Sequence, residues 1–290
     1  MAATRRLGLI GLAGALVAAC TPARFFNTLA PADSARRPAS GVAFGSAPRQ
    51  KLDIYSPPRS RGPSPVALFI YGGGWDSGAR GEYGWAGKAL AAEGFVTVVP
   101  DYRLTPEVAF PTFLEDVALA VRWAVDHASE FGGDPSRIVL VGHSAGAYNV
   151  AMVSLDPRYL AAVGVDPGRI RAFAGLAGPY VFKTLAGPVL QRTFGLAANT
   201  DDYQALKYVR PDAPPAFLAT GDADKTVSPG NTARLAEALR DKGVLVEAHL
   251  YPGLSHTDVL LGLSRVLRRR FAVHDDMMRF LKARVGLPAG

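Results

Sequence analysis

Five residues, Gly142-His143-Ser144-Ala145-Gly146, combine types and spacing suited to nucleophilic chemistry. A serine hydroxyl is a poor nucleophile near neutral pH and needs an adjacent base and an unobstructed position. Glycines at 142 and 146 leave room for a sharp turn on either side of the serine. The run Arg137-Ile138-Val139-Leu140-Val141 before them is apolar, β-branched and of strand length, and Ala147–Val153 after them can continue as a helix. A G-x-S-x-G between a strand and a helix is a nucleophile elbow: it lifts Ser144 above the sheet edge and turns the Ala145 N–H toward the place where an oxyanion would form.

A base and a carboxylate must accompany such a serine. Of the five histidines, His143 sits inside the elbow and is expected to point elsewhere, His127 lies in the amphipathic stretch 113–131, His249 in a strand pattern, and His274 opens the last helix. His256 alone follows a final strand through Tyr251-Pro252-Gly253-Leu254-Ser255, a loop that can project an imidazole over the sheet edge. The carboxylate should stand just past a strand end, and Pro215–Thr220 runs into Gly221-Asp222-Ala223-Asp224-Lys225-Thr226-Val227. Two aspartates compete there. Asp224 is preferred because Gly-x-x-Asp-x-x-Val places it deeper in the loop, whereas Asp222 suits a cap on its own turn. His256 would take the serine proton and return it to the leaving group, while Asp224 would hold the imidazole in the productive tautomer.

The negative oxygen of a tetrahedral intermediate needs N–H donors, each contributing about 3–4 kcal/mol. Tyr71-Gly72-Gly73-Gly74-Trp75 follows the buried-strand pattern Val66–Ile70 and can supply them, with Gly73 and Gly74 joining Ala145.

In order and spacing, Tyr71–Trp75, Asp101–Leu104, Gly132–Ile138, the elbow, Gly221–Val227 and Tyr251–His256 resemble the serine carboxylesterases. The sequence is similar to the bacterial esterase branch related to hormone-sensitive lipase and to the feruloyl-esterase-like α/β-hydrolases, over about residues 48–287. The resemblance implies hydrolysis of a carboxylic ester, with no metal or organic cofactor and a small-molecule ester as partner. It supports Asp224 as the triad carboxylate and implies that Asp101 and Arg103 form a structural ion pair at a strand end. Tyr71 departs from the His-Gly-Gly-Gly of that family, so the bracing of the loop is left open.

The elements that must position these residues are short apolar strands at 51–55, 66–71, 95–100, 137–142, 171–176, 215–220 and 244–250. They alternate with helical patterns at 82–93, 112–130, 144–154, 230–242 and 273–285. That alternation predicts an α/β fold with a mostly parallel central sheet and helices on both faces. The expected catalytic domain covers 46–290, with a short lid within 178–214 favouring small or medium acyl groups. Trp75, Tyr148, Tyr180 and Leu254 are candidate pocket residues.

The first residues differ in character. Arg5-Arg6 precedes the apolar run Leu7–Ala18 and Val17-Ala18-Ala19-Cys20, which fits a signal segment over 1–19. Cys20 is the sole cysteine, so no intrachain disulfide can form, and its setting resembles a bacterial lipoprotein signal with Cys20 lipidated. Residues 20–45 are expected to be a tether, giving an exported protein held on a membrane surface. The net charge is +7, and basic residues cluster at Arg265 and Arg268–Arg270, which suits a solvated face or anionic headgroups better than nucleic acid. An arylformamidase or peptidase using the same triad, and a binding protein on a hydrolase scaffold, are the competing readings.

Overall fold

A strand whose consecutive residues are all apolar can be stable only where both faces of its sheet are covered, because successive side chains point to opposite sides. Val66–Ile70 and Ala216–Ala219 are such runs, and every residue in them is buried. The computed structural model describes Asn27, residues 31–60 and residues 62–288. The strands are β1 (Arg36–Ala43), β2 (Lys51–Ser56), β3 (Ser64–Ile70), β4 (Val96–Pro100), β5 (Gly133–His143), β6 (Ile170–Leu176), β7 (Ala216–Gly221) and β8 (Val246–Tyr251). They form one sheet in the order β1-β2-β4-β3-β5-β6-β7-β8, antiparallel at β1–β2 and β2–β4 and parallel elsewhere.

The covering helices are α1 (Gly84–Ala92), α2 (Thr112–His127), α3 (Ala145–Leu155), α4 (Pro157–Ala162), α5 (Pro188–Phe194), α6 (Gly230–Asp241), α7 (His256–Leu261) and α8 (Val273–Val285). All residues of α3 are buried, as its mostly apolar composition requires, with Asn149 and Ser154 as buried polar exceptions. Ser255 caps α7 in a reciprocal box with Asp258, a pairing readable in Ser-x-x-Asp. Among the described residues no helix is long and apolar enough to cross a membrane.

The strand order fixes where chemistry can occur. The chain leaves β3 toward β4 on one side and returns to β5 on the other, so a crevice opens beyond the C-terminal ends of β3 and β5. Ile70 pairs with Gly142 there, which sets the Tyr71–Trp75 loop against the elbow. At the other side of the crevice Gly221 pairs with Tyr251, setting the β7 and β8 end loops side by side.

One boundary is corrected. Residues 36–43, placed in the expected tether, form β1 instead. Pro38 and Gly41 read as breakers, but an edge strand tolerates both, and the β1–β2 register shifts twice. The buried Asp53 of β2 secures it by accepting from the Gly41 N–H at 2.9 Å and pairing with Arg37 at 2.7 Å. The signal segment 1–19 and Cys20 lie outside the described residues.

Segment 178–214 holds α5 and a 3₁₀ turn at Ala205–Tyr208. It is fastened to the body: Phe110 N–H donates to the Thr193 carbonyl at 2.8 Å, and the Thr105 and Thr193 hydroxyls meet at 3.1 Å.

Candidate active site

Ser144 joins β5 to α3 with φ 54° and ψ −122°. A non-glycine residue held there stores about 1–3 kcal/mol of backbone strain. Its N–H donates to the Leu176 carbonyl at 2.8 Å, and its carbonyl accepts from Tyr148 N–H at 3.1 Å. The turn is pressed onto β3 so closely that a Cβ on Gly146 would sit 2.0 Å from the Ile70 carbonyl oxygen, and only glycine fits.

The three residues chosen from sequence meet in the crevice. Ser144 Oγ lies 2.9 Å from His256 Nε2, and His256 Nδ1 lies 2.8 Å from Asp224 Oδ2. With Nδ1–H donating to the carboxylate, Nε2 is free to accept the serine proton. Asp224 is buried, and its Oδ1 accepts from the N–H groups of Thr226 at 2.8 Å and Val227 at 2.9 Å. Those bonds fix which oxygen faces the imidazole. Asp222 is exposed; instead of capping its own turn it accepts from Gly253 N–H at 2.7 Å, tying the β7 and β8 end loops together.

The glycine loop lies against the elbow, where a Cβ on Gly72 would sit 2.9 Å from Ser144 Cβ. Gly73 has φ 120°, a conformation side chains resist, and its carbonyl accepts from the Asp76 and Ser77 N–H groups and the Ser77 hydroxyl. Among the described residues, the amides of Gly73, Gly74 and Ala145 donate to no backbone or side-chain acceptor. The Ala145 amide also stands at the N-terminus of α3, where the helix dipole favours negative charge.

Tyr71 braces this loop where the related motif has histidine. Its phenol donates to Asp101 Oδ1 at 2.8 Å and accepts from Arg49 at 3.0 Å, while its carbonyl accepts from the Tyr102 hydroxyl at 3.0 Å. Its ring stacks between Tyr83 and Tyr102, at 5.2 and 4.9 Å. Burial, with Asp101 alongside, pushes the phenol well above its ordinary range, so it stays a neutral donor. The expected Asp101–Arg103 ion pair does not form. Asp101 pairs with Arg80, and Arg103 pairs with the buried Asp116 at 2.7 Å. The strand end is therefore fixed by two separate long-range pairs.

Trp75 follows the loop with φ 66°, and its indole N–H donates to Asn149 Oδ1 at 2.9 Å. Asn149 is a fully buried polar residue in the mostly apolar α3; that incongruity in the sequence was the signal for it. Trp75 and Tyr148 meet edge to face at 5.4 Å and continue into Phe182, Phe194 and Tyr203 of the lid segment. Of the other two pocket candidates, Tyr180 is fully buried against Gly175 and Gly178, and Leu254 is buried at the Gly221 turn. His143, expected to point away, lies against His256, with Nε2 3.0 Å from its carbonyl oxygen.

Residues 52–160 match the family model BD-FAE, and residues 112–287 match that of the prolyl oligopeptidase family. The chain is 31% identical over 225 residues to carboxylesterase NlhH of Mycobacterium tuberculosis, covering 70% of this chain and 69% of that one. It is 28% identical over 242 residues to an isoprenylcysteine alpha-carbonyl methylesterase of Arabidopsis thaliana, covering 76% and 56%. It spans little more than half the length of the plant relatives that it matches. Esterase B from Lactobacillus Rhamnosis has the same fold, with a TM-score of 0.80 at 20% identity over 95% of this chain and 94% of that one. The chain belongs to the α/β-hydrolase serine carboxylesterases, in the branch related to hormone-sensitive lipase.

Proposed function

We propose that this chain hydrolyses carboxylic esters through an acyl-enzyme on Ser144. The observation that carries this reading is the hydrogen-bonded chain Ser144 Oγ–His256–Asp224 beside amides that have no acceptor among the described residues. Ser144 Oγ attacks the ester carbonyl carbon as its proton passes to His256 Nε2, and the oxyanion is held by Gly73, Gly74 and Ala145. Collapse breaks the ester C–O bond, and His256 protonates the departing alcohol. Water, losing a proton to His256, then attacks the acyl carbon; Ser144 leaves with that proton and the acid is released. Asp224 stabilises the imidazolium throughout without taking its proton. Trp75 and Tyr148 pack with Phe182, Phe194 and Tyr203 in one aromatic cluster next to the oxyanion loop and the elbow, which favours small to medium acyl groups. The match of residues 112–287 to the prolyl oligopeptidase family favours amide cleavage by the same triad as the second reading.

A fluorophosphonate probe with peptide mass mapping is expected to place its adduct on Ser144, and p-nitrophenyl esters from acetyl to octanoyl are expected to outrun the matching anilides. No adduct would leave a binding protein on a hydrolase scaffold. Anilides turned over faster than esters would select the amide reading.

We infer further that the protein is exported and held on a membrane by lipid on Cys20. Support comes from the basic Arg5-Arg6, the apolar run Leu7–Ala18 and the sole cysteine directly after Val17-Ala18-Ala19. Cells expressing the native chain are expected to carry it in the membrane fraction with radiolabelled acyl lipid, and Cys20→Ala to take up no label. Wild-type protein recovered soluble, with a mature N-terminus other than Cys20, would overturn the anchor and leave the esterase reading intact.

A further inference from the structure

We propose that His143 is a positioning residue for the esterase reaction: by donating its Nε2–H to the main-chain carbonyl of His256, it holds the His256 imidazole between Ser144 and Asp224. The proposal rests on the hydrolase reading above. Its basis is where His143 stands and what it touches.

His143 is the last residue of β5 and pairs with Leu176 of β6, so its backbone belongs to the rigid centre of the sheet. His256, by contrast, begins a helix of only six residues after a loop whose Pro252 and Gly253 are exposed. Its imidazole must nevertheless keep two hydrogen bonds, at 2.9 and 2.8 Å, in register. Ser255 and Asp258 cap the helix but do not tie it to the sheet. The contact of His143 Nε2 with the His256 carbonyl, at 3.0 Å, does so. The rings also lie against one another, with centroids 4.8 Å apart. On the far side His143 touches the glycine loop: a Cβ on Gly72 would sit 3.2 Å from His143 Nδ1. One buried side chain thus spans from the oxyanion loop to the base.

The acceptor sets the protonation. A carbonyl oxygen can only accept, so Nε2 carries the proton and Nδ1 is bare. Burial foremost, then the facing His256, pushes the His143 pKa down to about 3, against an opposing pull from the His256 carbonyl and Asp224. The ring is therefore neutral at working pH. That neutrality matters, because turnover places an imidazolium on His256 and a second charge at this separation would oppose it.

The test pairs two amides of different reach. Gln places its side-chain nitrogen where imidazole has Nε2, and Asn places it where imidazole has Nδ1. His143→Asn is expected to lower kcat about tenfold to a hundredfold with KM little changed, the effect of misplacing a catalytic group by a fraction of an ångström to an ångström. His143→Gln is expected to recover most of that loss. Equal impairment of both variants, or wild-type kcat in both, overturns the proposal. Should either variant fail to fold, ¹⁵N-histidine NMR of the wild-type protein decides: His143 neutral with its proton on Nε2 below pH ~5 upholds the role, whereas a proton on Nδ1 or titration near the free-histidine value of about 6.5 overturns it. Wild-type protein without ester turnover would instead remove the hydrolase reading, and this role with it.

Discussion

Ser144→Ala is expected to lower ester turnover on the order of 10⁶-fold while leaving the fold in place, the loss seen when a triad nucleophile is removed from a serine hydrolase. The magnitude follows from what remains. Without Oγ, His256 can still polarise a water, and the Gly73, Gly74 and Ala145 amides can still hold an oxyanion, so the residual rate should exceed that in water. Stability should change little. Alanine meets the same backbone strain at φ 54° as serine does, and the anchoring bonds to Leu176 and Tyr148 are main-chain. The measurements are kcat on a p-nitrophenyl ester, the thermal midpoint, and fluorophosphonate labelling. A correctly folded variant turning over within tenfold of wild type would place the nucleophile at another residue.

The parts of the site that were legible in sequence share one property: each is set by local backbone chemistry. The elbow is readable because Gly146 must approach Ile70 and the strand before it ends in the apolar, buried run Ile138–Val141. Asp224 and His256 are readable because turn formers follow apolar runs, and the register of β7 on β8 then brings them together. What escaped depends on partners far along the chain. Asp101 and Arg103 are two residues apart but turn to different neighbours, Arg80 and Asp116, and neither pairing is encoded in the dipeptide spacing. His143 looks inert beside the nucleophile because its acceptor is 113 residues away. The Tyr71 brace likewise required Arg49 and Asp101, 22 and 30 residues distant. Strand β1 escaped for a different reason: an edge strand pairs on one side only, so composition constrains it weakly, and the buried Asp53 that secures it belongs to β2.

Asp224→Asn is expected to lower kcat by about 10⁴, whereas Asp222→Asn should stay within about threefold of wild type. The two aspartates are two residues apart in one loop, and the same isosteric change separates them because of what each oxygen accepts. Oδ1 of Asp224 already takes two N–H donors, from Thr226 and Val227. An asparagine there must keep its oxygen on those donors, since turning its NH₂ toward them would set donor against donor. The NH₂ group is then aimed at His256 Nδ1, which at 2.8 Å can only accept. The imidazole proton is driven to Nε2, and Nε2 can no longer take the proton of Ser144, 2.9 Å away. At position 222 the change is mild: the asparagine oxygen can still accept from Gly253 N–H, and the amide's other end faces solvent. Steady-state kinetics on both purified variants decide the matter. A crippled Asp222→Asn beside a near-normal Asp224→Asn would exchange the two roles, and it would also require the β7 end loop to adopt a different conformation during turnover.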